Sequence, residues 1–127
     1  MSHTAGLRNS AEFRIVYELG KRYDGRLMTA FVRRNDAGRH RLGVTVSRKT
    51  ARRAVDRNRL KRLLRETFRL SAAELLGTKG RYDWVLNAKR SMLGVKLAAV
   101  LEDFQGIAAR QARDENAVGA RASQLNL

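Results

Sequence analysis

One stretch of this chain, residues 48–69, is both strongly basic and patterned like an amphipathic helix. Its apolar residues recur at positions i, i+3, i+4 and i+7 from Leu60, which is the spacing of one helical face. Most of the cations fall on the opposite arc of a helical wheel. The stretch is therefore predicted to be a helix from about Arg53 to Leu70 that packs on a core and presents cations outward. The basic residues are Arg48, Lys49, Arg52, Arg53, Arg57, Arg59, Lys61, Arg62, Arg65 and Arg69, against the acids Asp56 and Glu66.

The charge of the whole chain points to a polyanionic partner. Its 127 residues include 27 Lys and Arg against 12 Asp and Glu, which gives a formal charge of +15 at pH 7. Self-repulsion of this size destabilises a compact state, so the charge is best understood if a polyanion neutralises it. Arg outnumbers Lys, which favours bidentate phosphate contacts and stacking on bases. Nucleic acid is the predicted partner, and the clustering of the charge argues against a merely basic soluble protein.

The residues that hydrolytic enzymes use are not grouped in this sequence. The acids are scattered, and the histidines His3 and His40 fall in a predicted tail and beside a turn, where both are expected at the surface. No Cys is present, so thiol nucleophiles and Cys-based metal sites are excluded. The ten glycines stand apart and form no phosphate-binding loop. The protein is therefore predicted to have no catalytic residues and no metal ligands of its own.

The hydropathy pattern predicts a protein without a membrane partner. No stretch approaches the ~20 apolar residues that a spanning helix needs. The opening residues lack a charged segment followed by an apolar run. We therefore expect a soluble protein of the cytoplasm.

Local signals predict a helix and a hairpin in the first half of the chain. Asn9 and Glu12 have capping-box spacing, which predicts a helix over Ser10 to Leu19. Residues 26–34 and 41–47 are rich in strand-forming residues, and the second segment alternates strictly. The turn residues 35–38 lie between them and predict an antiparallel hairpin.

The second half predicts a strand, a helix and a tail. Residues 83–89 alternate as a strand. Ser91 is expected to cap a last helix whose apolar stripe includes Val100 and Phe104. Periodicity fades beyond Gly106, so residues 1–108 are predicted to form one domain and residues 109–127 a flexible polar tail. The resulting α-β-β-β-α-β-α order predicts an α+β sandwich with a small mixed sheet and helices packed on one side, leaving the other face open.

Three aromatic residues could serve either a core or a ligand. Phe13 and Tyr17 lie one helical turn apart on the first helix, and Phe31 follows on a strand. Isolated aromatics are usually core residues. Aromatics beside cations also stack on single-stranded nucleic acid, and the residues alone leave the two interpretations even. The basic helix has no accompanying helix-turn-helix or heptad pattern, so DNA is not the expected partner.

The chain resembles the protein component of bacterial ribonuclease P. The resemblance is carried by Leu42-Gly43-Val44-Thr45-Val46-Ser47-Arg48-Lys49, then Ala54-Val55, then the signature Arg57-Asn58-Arg59 with its flanking cations. It implies the fold of domain 2 of ribosomal protein S5. It also implies a ribonuclease P endoribonuclease in which a catalytic RNA subunit with bound Mg²⁺ removes the 5′ leader of precursor tRNA. Mg²⁺ would be held mainly by that RNA subunit. One protein would bind one RNA subunit.

The same resemblance implies two sets of site residues. The basic helix would face the RNA subunit, and the cleft between the first helix and the sheet would receive the single-stranded leader. The RNA-subunit set is Arg52, Arg53, Arg57, Asn58, Arg59, Lys61, Arg62, Arg65 and Arg69. The leader set is Phe13, Tyr17, Phe31, Thr45, Ser47 and Lys49.

Two other classes of function remain open from the sequence. A structural RNA-binding protein of the ribosomal type would share the charge and the fold class. A self-sufficient nuclease would cleave RNA without an RNA subunit. The link over residues 49–54 also departs from the shorter, Gly-containing link of many family members, so the sequence does not predict its geometry.

Overall fold

The computed structural model describes residues 5–125 as a five-stranded mixed sheet with helices on both faces. The strands lie in the order β1-β4-β5-β3-β2. The elements in chain order are β1 (Ala5–Gly6), α1 (Ser10–Leu19), β2 (Lys21–Asp24), β3 (Met28–Asn35), β4 (Arg41–Thr45), α2 (Ala54–Leu70), α3 (Ala72–Leu76), β5 (Arg81–Ala88), a 3₁₀ turn (Arg90–Met92) and α4 (Leu97–Leu125).

The start of α1 follows from its capping residues. The Asn9 side chain accepts a hydrogen bond from the Glu12 backbone N–H at 3.0 Å. The Glu12 carboxylate in turn accepts from the Arg8 N–H at 2.7 Å. The first contact satisfies one of the N–H groups that a helix start leaves without a partner, and the second ties the first turn to the residue before the cap. The predicted helix over Ser10–Leu19 is confirmed.

The predicted hairpin between β3 and β4 is wrong, because β5 lies between them. β5 pairs antiparallel with β3 and parallel with β4. Trp84, Val85 and Leu86 of β5 are each 0% exposed, so this strand is buried on both faces and takes the centre of the sheet. The predicted order has three strands between the first two helices, but only two of them were placed in the sequence. The third is β2, a charged four-residue edge strand that pairs with β3.

Two helices pack on one face of the sheet, as predicted. The buried apolar residues of α2 and α4 form one core with the sheet, in which the rings of Phe68, Trp84 and Phe104 lie 5.5–6.1 Å apart. The α+β class is confirmed. The first helix behaves differently: α1 packs on the opposite face, where Val16 contacts Val85. That face is therefore partly covered and not left open.

The last helix starts later than predicted. Ser91 lies in the 3₁₀ turn and donates a hydrogen bond to the Arg26 carbonyl at 2.8 Å, so it does not cap α4. Gly94 follows with φ of +73°, a left-handed conformation that glycine adopts without strain. α4 begins at Leu97, and Val100 and Phe104 of its predicted stripe are fully buried.

α4 continues past the predicted domain boundary at residue 108. Gln111 is 4% exposed, and two acidic residues one turn beyond it contact the sheet. Residues 109–115 are thus part of the folded unit, and the prediction of a tail from residue 109 is wrong there. The helix turns polar groups toward partners on β2 and on the turn before β5. Residues 1–4 and 126–127 lie outside the described residues. The contacts join Asp114 to Lys21 (2.5 Å) and Tyr23 (2.6 Å), and Glu115 to the N–H groups of Lys79 (2.8 Å) and Gly80 (3.0 Å).

His40 is buried, contrary to the prediction of a surface histidine. Its Nδ1 accepts hydrogen bonds from the Tyr82 N–H and the Trp84 indole N–H, both at 3.2 Å. Its Nε2 lies 2.8 Å from the Leu75 carbonyl oxygen, so the neutral ring donates there. Burial lowers the pKa of His40. The side chain therefore joins the sheet to the end of α3.

Candidate nucleic-acid interface

α2 presents the predicted basic surface to solvent. Leu60, Leu64 and Phe68 are buried against the sheet and α4, which turns the cations outward. We call the nine residues of the RNA-subunit set the basic surface. Arg52, Arg53, Asn58, Arg59, Arg62, Arg65 and Arg69 of this surface are exposed, and Arg57 and Lys61 are half-buried.

Three arginines of the basic surface are held by the protein itself. Arg57 donates to the carbonyls of Ala51 (3.0 Å) and Arg52 (2.7 Å), which pins the link that leads into α2. Arg59 donates to the Val95 carbonyl at 3.2 Å. Arg69 pairs with a carboxylate on its own helix and, by hydrogen bonding, lowers the pKa of that group. These contacts fix guanidinium positions and leave part of each donor set available.

Arg62 and Arg65, unlike these three arginines, are not held by contacts within the described part of the protein. Within residues 5–125, their guanidinium groups make no hydrogen bond or ion pair, and the same holds for the Asn58 side chain. Both arginines are exposed on the helix. These two cations of α2 are well placed to bind phosphate, because no contact with another described residue has to be broken first.

A cavity joins the basic surface to the first helix. It measures about 410 Å³ and lies between α2 and the edge of the sheet formed by β4 and β1. Arg62, Arg65 and Arg69 line one side, and Phe13 and Gly43 line the other. A Cβ at Gly43 would lie 2.5 Å from the Phe13 ring, so glycine is what allows that ring to lie on β4. Phe13 thus touches the same space as the cations.

An open groove follows α1 on from this cavity. It is lined by Phe13, Tyr17 and Thr45, together with further residues of α1 and the two residues before it, among them Arg8 and Arg14. The Tyr17 ring meets the Phe31 ring edge-to-face, with centroids 4.9 Å apart and planes at 79°. Tyr17 is 36% exposed and Phe31 is half-buried. Three residues of the predicted leader set therefore line one groove, and a fourth, Phe31, contacts it through Tyr17.

Ser47 and Lys49 lie in the link that follows β4. Both are exposed. The Ser47 hydroxyl is 3.1 Å from that of Thr50, which in turn donates to the Ala88 carbonyl of β5 at 3.3 Å. The Ala51 N–H donates to the Ser47 carbonyl at 3.1 Å, so the link folds as a tight turn at the end of the sheet. This turn places Ser47 and Lys49 just beyond the Thr45 end of β4.

Comparison with known proteins identifies the family. The sequence pattern described as Ribonuclease P matches residues 1–112. The ribonuclease P protein component of Methylococcus capsulatus is 42% identical over 99 residues, which cover 78% of this chain and 74% of that protein. That of Clostridium botulinum strain Langeland is 42% identical over 85 residues, 67% of this chain and 74% of the relative. The chain belongs to the ribonuclease P protein family.

Solved structures of ribonuclease P proteins share the fold. The protein from Thermotoga maritima aligns with a TM-score of 0.72 at 27% identity, covering 82% of this chain and 94% of its own. The protein from Staphylococcus aureus aligns with a TM-score of 0.73 over 85% of this chain and 95% of its own. Its identity of 21% makes this a likeness of fold alone.

Family membership also gives the function. The chain is a tRNA-processing subunit of ribonuclease P, a ribonucleoprotein enzyme whose activity is carried by the RNA subunit. These relatives do not favour a structural RNA-binding protein without a processing role. Among residues 5–125, no three His, Asp or Glu residues are grouped to hold a metal ion. No helix in that described range is long and apolar enough to cross a membrane.

Two residues that contact the leader set were missed as site residues by the sequence analysis. Asn87 of β5 accepts hydrogen bonds from the Tyr17 hydroxyl (2.9 Å) and the Thr45 hydroxyl (2.5 Å). Arg22 of β2 lies over the Phe31 ring, 5.8 Å from its centroid. A signal for Asn87 existed, because it is a polar residue that follows the apolar run Trp84-Val85-Leu86 of β5. Arg22 could not be found, since its strand was not placed in the sequence.

Proposed function

We propose that this ribonuclease P protein binds the catalytic RNA subunit through the basic surface and the single-stranded 5′ leader of precursor tRNA through the groove along α1. The observation that carries the proposal is the cavity in which Arg62 and Arg65 face Phe13. Because the two surfaces meet there, one RNA partner on α2 and a single strand along α1 would lie side by side. A leader could then run from the cleavage site of the RNA subunit into the groove.

The free cations support the RNA-subunit part of the proposal. Each phosphate that Arg or Lys neutralises releases a counterion, which makes binding strong at low salt. Arg52, Arg53, Lys61, Arg62 and Arg65 contribute the charge, while Arg57 and Arg59 are already oriented by backbone carbonyls. Helix α2 packs on the core, so its backbone already holds these groups in one arrangement and does not have to be ordered on binding. Asn58 and Arg69 extend the same surface along the helix.

The partly exposed aromatics support the leader part. Bases of a single strand stack on aromatic side chains, and stacking beside cations is tolerant of sequence. Phe13, Tyr17 and Phe31 supply such faces, and Arg22 lies against one of them. Ser47 and Lys49 would contact the backbone where the strand passes the end of β4.

Mg²⁺ is assigned to the RNA subunit in this proposal. RNA phosphates supply the hard oxygen ligands that Mg²⁺ prefers, and the protein side chains at the interface are cationic. The role of the protein would be to reduce phosphate repulsion between the RNA subunit and the substrate, so that less Mg²⁺ is needed. We further propose a 1:1 complex with the RNA subunit, without DNA, in the cytoplasm.

Reconstitution with a bacterial ribonuclease P RNA tests the proposal. At low Mg²⁺, the protein should stimulate 5′ cleavage of precursor tRNA and should be inactive without the RNA. It should also make the complex bind precursor tRNA more tightly than mature tRNA, which has no leader. RNA binding without stimulation would instead indicate a structural role. Equal binding of precursor and mature tRNA would contradict leader binding.

A further inference from the structure

Asn87 stands in a row of polar side chains that crosses the α1 face of the sheet. Strand register places Asp24 beside Thr29, Thr29 beside Asn87, and Asn87 beside Thr45. Side chains two residues apart on a strand share a face, so Asn87 points to the same side as Val85, which packs against α1. Asn87 itself is half-buried. Thr45, at one end of the row, lines the groove together with Tyr17.

The side-chain amide of Asn87 is oriented by two hydroxyl groups. Its Oδ1 accepts from the Tyr17 hydroxyl at 2.9 Å and from the Thr45 hydroxyl at 2.5 Å. An amide oxygen has two lone pairs, so its acceptor capacity is filled by these contacts. Within residues 5–125, no atom accepts a hydrogen bond from its Nδ2. The amide therefore has two N–H donors left and no free acceptor.

We propose that Asn87 reads a leader base, donating from its amide N–H groups to a carbonyl oxygen on the edge of that base. This inference rests on the proposed binding of the leader in the groove. The residue would determine specificity within the known reaction, and it would favour a base that presents a carbonyl over one that presents an amino group at the same place.

The surrounding geometry favours a base as the ligand. Tyr17 contacts Asn87 through its hydroxyl and Phe31 through its ring. A base that stacks on this aromatic pair would bring its edge, and not its phosphate, toward the amide. No cation bonds to the Asn87 amide within the described residues: Arg22 lies over the Phe31 ring, and Lys89 donates to the Gly25 carbonyl at 2.7 Å. Arg8 and Arg14 line the same groove, where they can contact the phosphates of a strand whose base is bound beside Tyr17.

Because both acceptor positions of Asn87 Oδ1 are occupied, the proposal predicts which bases should be preferred. Asparagine usually recognises adenine by donating to N7 and accepting from the 6-amino group. Here Oδ1 cannot accept from that amino group without losing Tyr17 or Thr45. A purine with a carbonyl at position 6 offers an acceptor instead. Hypoxanthine should therefore be preferred to adenine, and purine without a 6-substituent should fall between them.

The experiment measures the affinity of reconstituted holoenzyme for precursor tRNAs that differ at one nucleotide. Adenosine, inosine and purine riboside are placed in turn at each leader position. At one position, inosine should bind about 5-fold more tightly than adenosine, the size expected for one hydrogen bond. Equal affinities at every position, or tighter binding of adenosine, would overturn the assignment of Asn87 as a donor.

Matched variants connect the preference to Asn87. Asn87→Leu has similar size and no donors, so it should abolish the inosine preference. Asn87→Asp keeps the acceptor for Tyr17 and Thr45 but presents only oxygen to the base, so adenosine should then bind more tightly than inosine. The added negative charge should also lower the affinity for all three RNAs by a common factor. Thr29→Val is the control, because the Thr29 hydroxyl donates to Asp24 at 2.9 Å, and it should keep the preference.

The outcomes separate this inference from the proposed function. If the leader does not bind in the groove, precursor and mature tRNA bind equally and no base substitution matters. If precursor tRNA is favoured but the inosine preference persists in both Asn87 variants, only the role of Asn87 is wrong. Thermal unfolding of each variant checks that the fold is kept, and the inosine-to-adenosine ratio is read within one variant, so a general loss of affinity does not affect it.

Discussion

The two faces of the sheet carry the same kinds of aromatic residue and use them differently. On the face covered by α2 and α4, Phe68 is 3% exposed, and Trp84 and Phe104 are 0% exposed. On the face covered by α1, Tyr17 is 36% exposed and Phe31 is half-buried. α1 has 10 residues, and the side chains of Asn87 and Thr45 beside it are only half-buried. One face is thus a completed core, whereas the other keeps aromatic surface that a ligand can still cover.

This difference in exposure indicates which aromatic residues serve only the fold and which can also bind a ligand. An aromatic ring with no remaining exposure can contribute only to folding, because a ligand cannot reach it. A partly exposed ring beside hydroxyl and amide groups can contribute to both. Substitutions on the two faces should therefore have different signatures, and the comparison can be tested directly.

The largest effect is expected on the α2 and α4 face. Phe104→Ala removes a fully buried ring that packs on Trp84 and Phe68, and it should lower the free energy of unfolding by about 3–5 kcal/mol. Urea unfolding monitored by circular dichroism measures this. Phe31→Ala should cost clearly less, because that ring is already partly exposed. Equal losses for the two variants would mean that both faces are cores of the same kind.

The next effect concerns the basic surface. Arg62→Ala combined with Arg65→Ala removes two proposed phosphate contacts, which should reduce the magnitude of the slope of log K against log salt by about 1.4–1.8 and weaken binding to the RNA subunit about 30-fold at physiological salt. The unfolding midpoint should change little. Arg34→Ala with Arg39→Ala removes the same charge from exposed positions outside this surface and is the control. If both pairs change the slope equally, the effect is one of net charge.

The third effect tests the α1 face as a leader site. Phe31→Ala should weaken binding of precursor tRNA to the holoenzyme by about 1–3 kcal/mol through a lost stack. Mature tRNA should bind as before, because it has no leader to stack. Affinity for both RNAs and thermal unfolding are measured on the same preparation. Equal weakening toward both RNAs, or a large drop in melting temperature, would make Phe31 a core residue and remove the contrast between the faces.

The smallest effect is a pH dependence on the core side. Burial holds the pKa of His40 below its ordinary value, with Arg81 adding to the shift and Glu115 and the hydrogen bonds opposing it. The unfolded chain therefore binds a proton that the folded protein excludes, and the free energy of unfolding should fall as the pH drops below about 6.5. Thermal unfolding at pH 7.5 and pH 5.5 measures this. His40→Gln should unfold with a smaller difference between the two pH values, and an unchanged difference would assign the effect to other groups.

Much of the helical structure could be predicted because its signals are local. The capping pair Asn9 and Glu12 marks the start of α1, and the spacing from Leu60 to Phe68 marks the buried side of α2. The wheel that predicted this stripe also placed Arg62 and Arg65 on the exposed side, where the structure has them. The signature around Arg57 identified the family, and comparison with relatives confirms it.

The partners of these elements could not be predicted, because they depend on distant parts of the chain. Val85 is buried only because α1 crosses its face of the sheet, and a turn between β3 and β4 does not reveal that β5 will lie between them. The polar end of α4 read as a tail, although Asp114 and Glu115 bind groups more than 30 positions away. His40 is similar, since its ring is buried by residues of α3 and β5.

The sequence by itself determined the charge of this protein, the helices that short-range spacing can specify, and the family to which it belongs. Only the tertiary structure decided the strand order, the separation into a closed and a partly open face, and the pairing of Asn87 with Tyr17 and Thr45. The physical reason is that capping and periodicity act between neighbours along the chain. Competition for the centre of the sheet, and the satisfaction of buried polar groups, are settled between residues that only folding brings together.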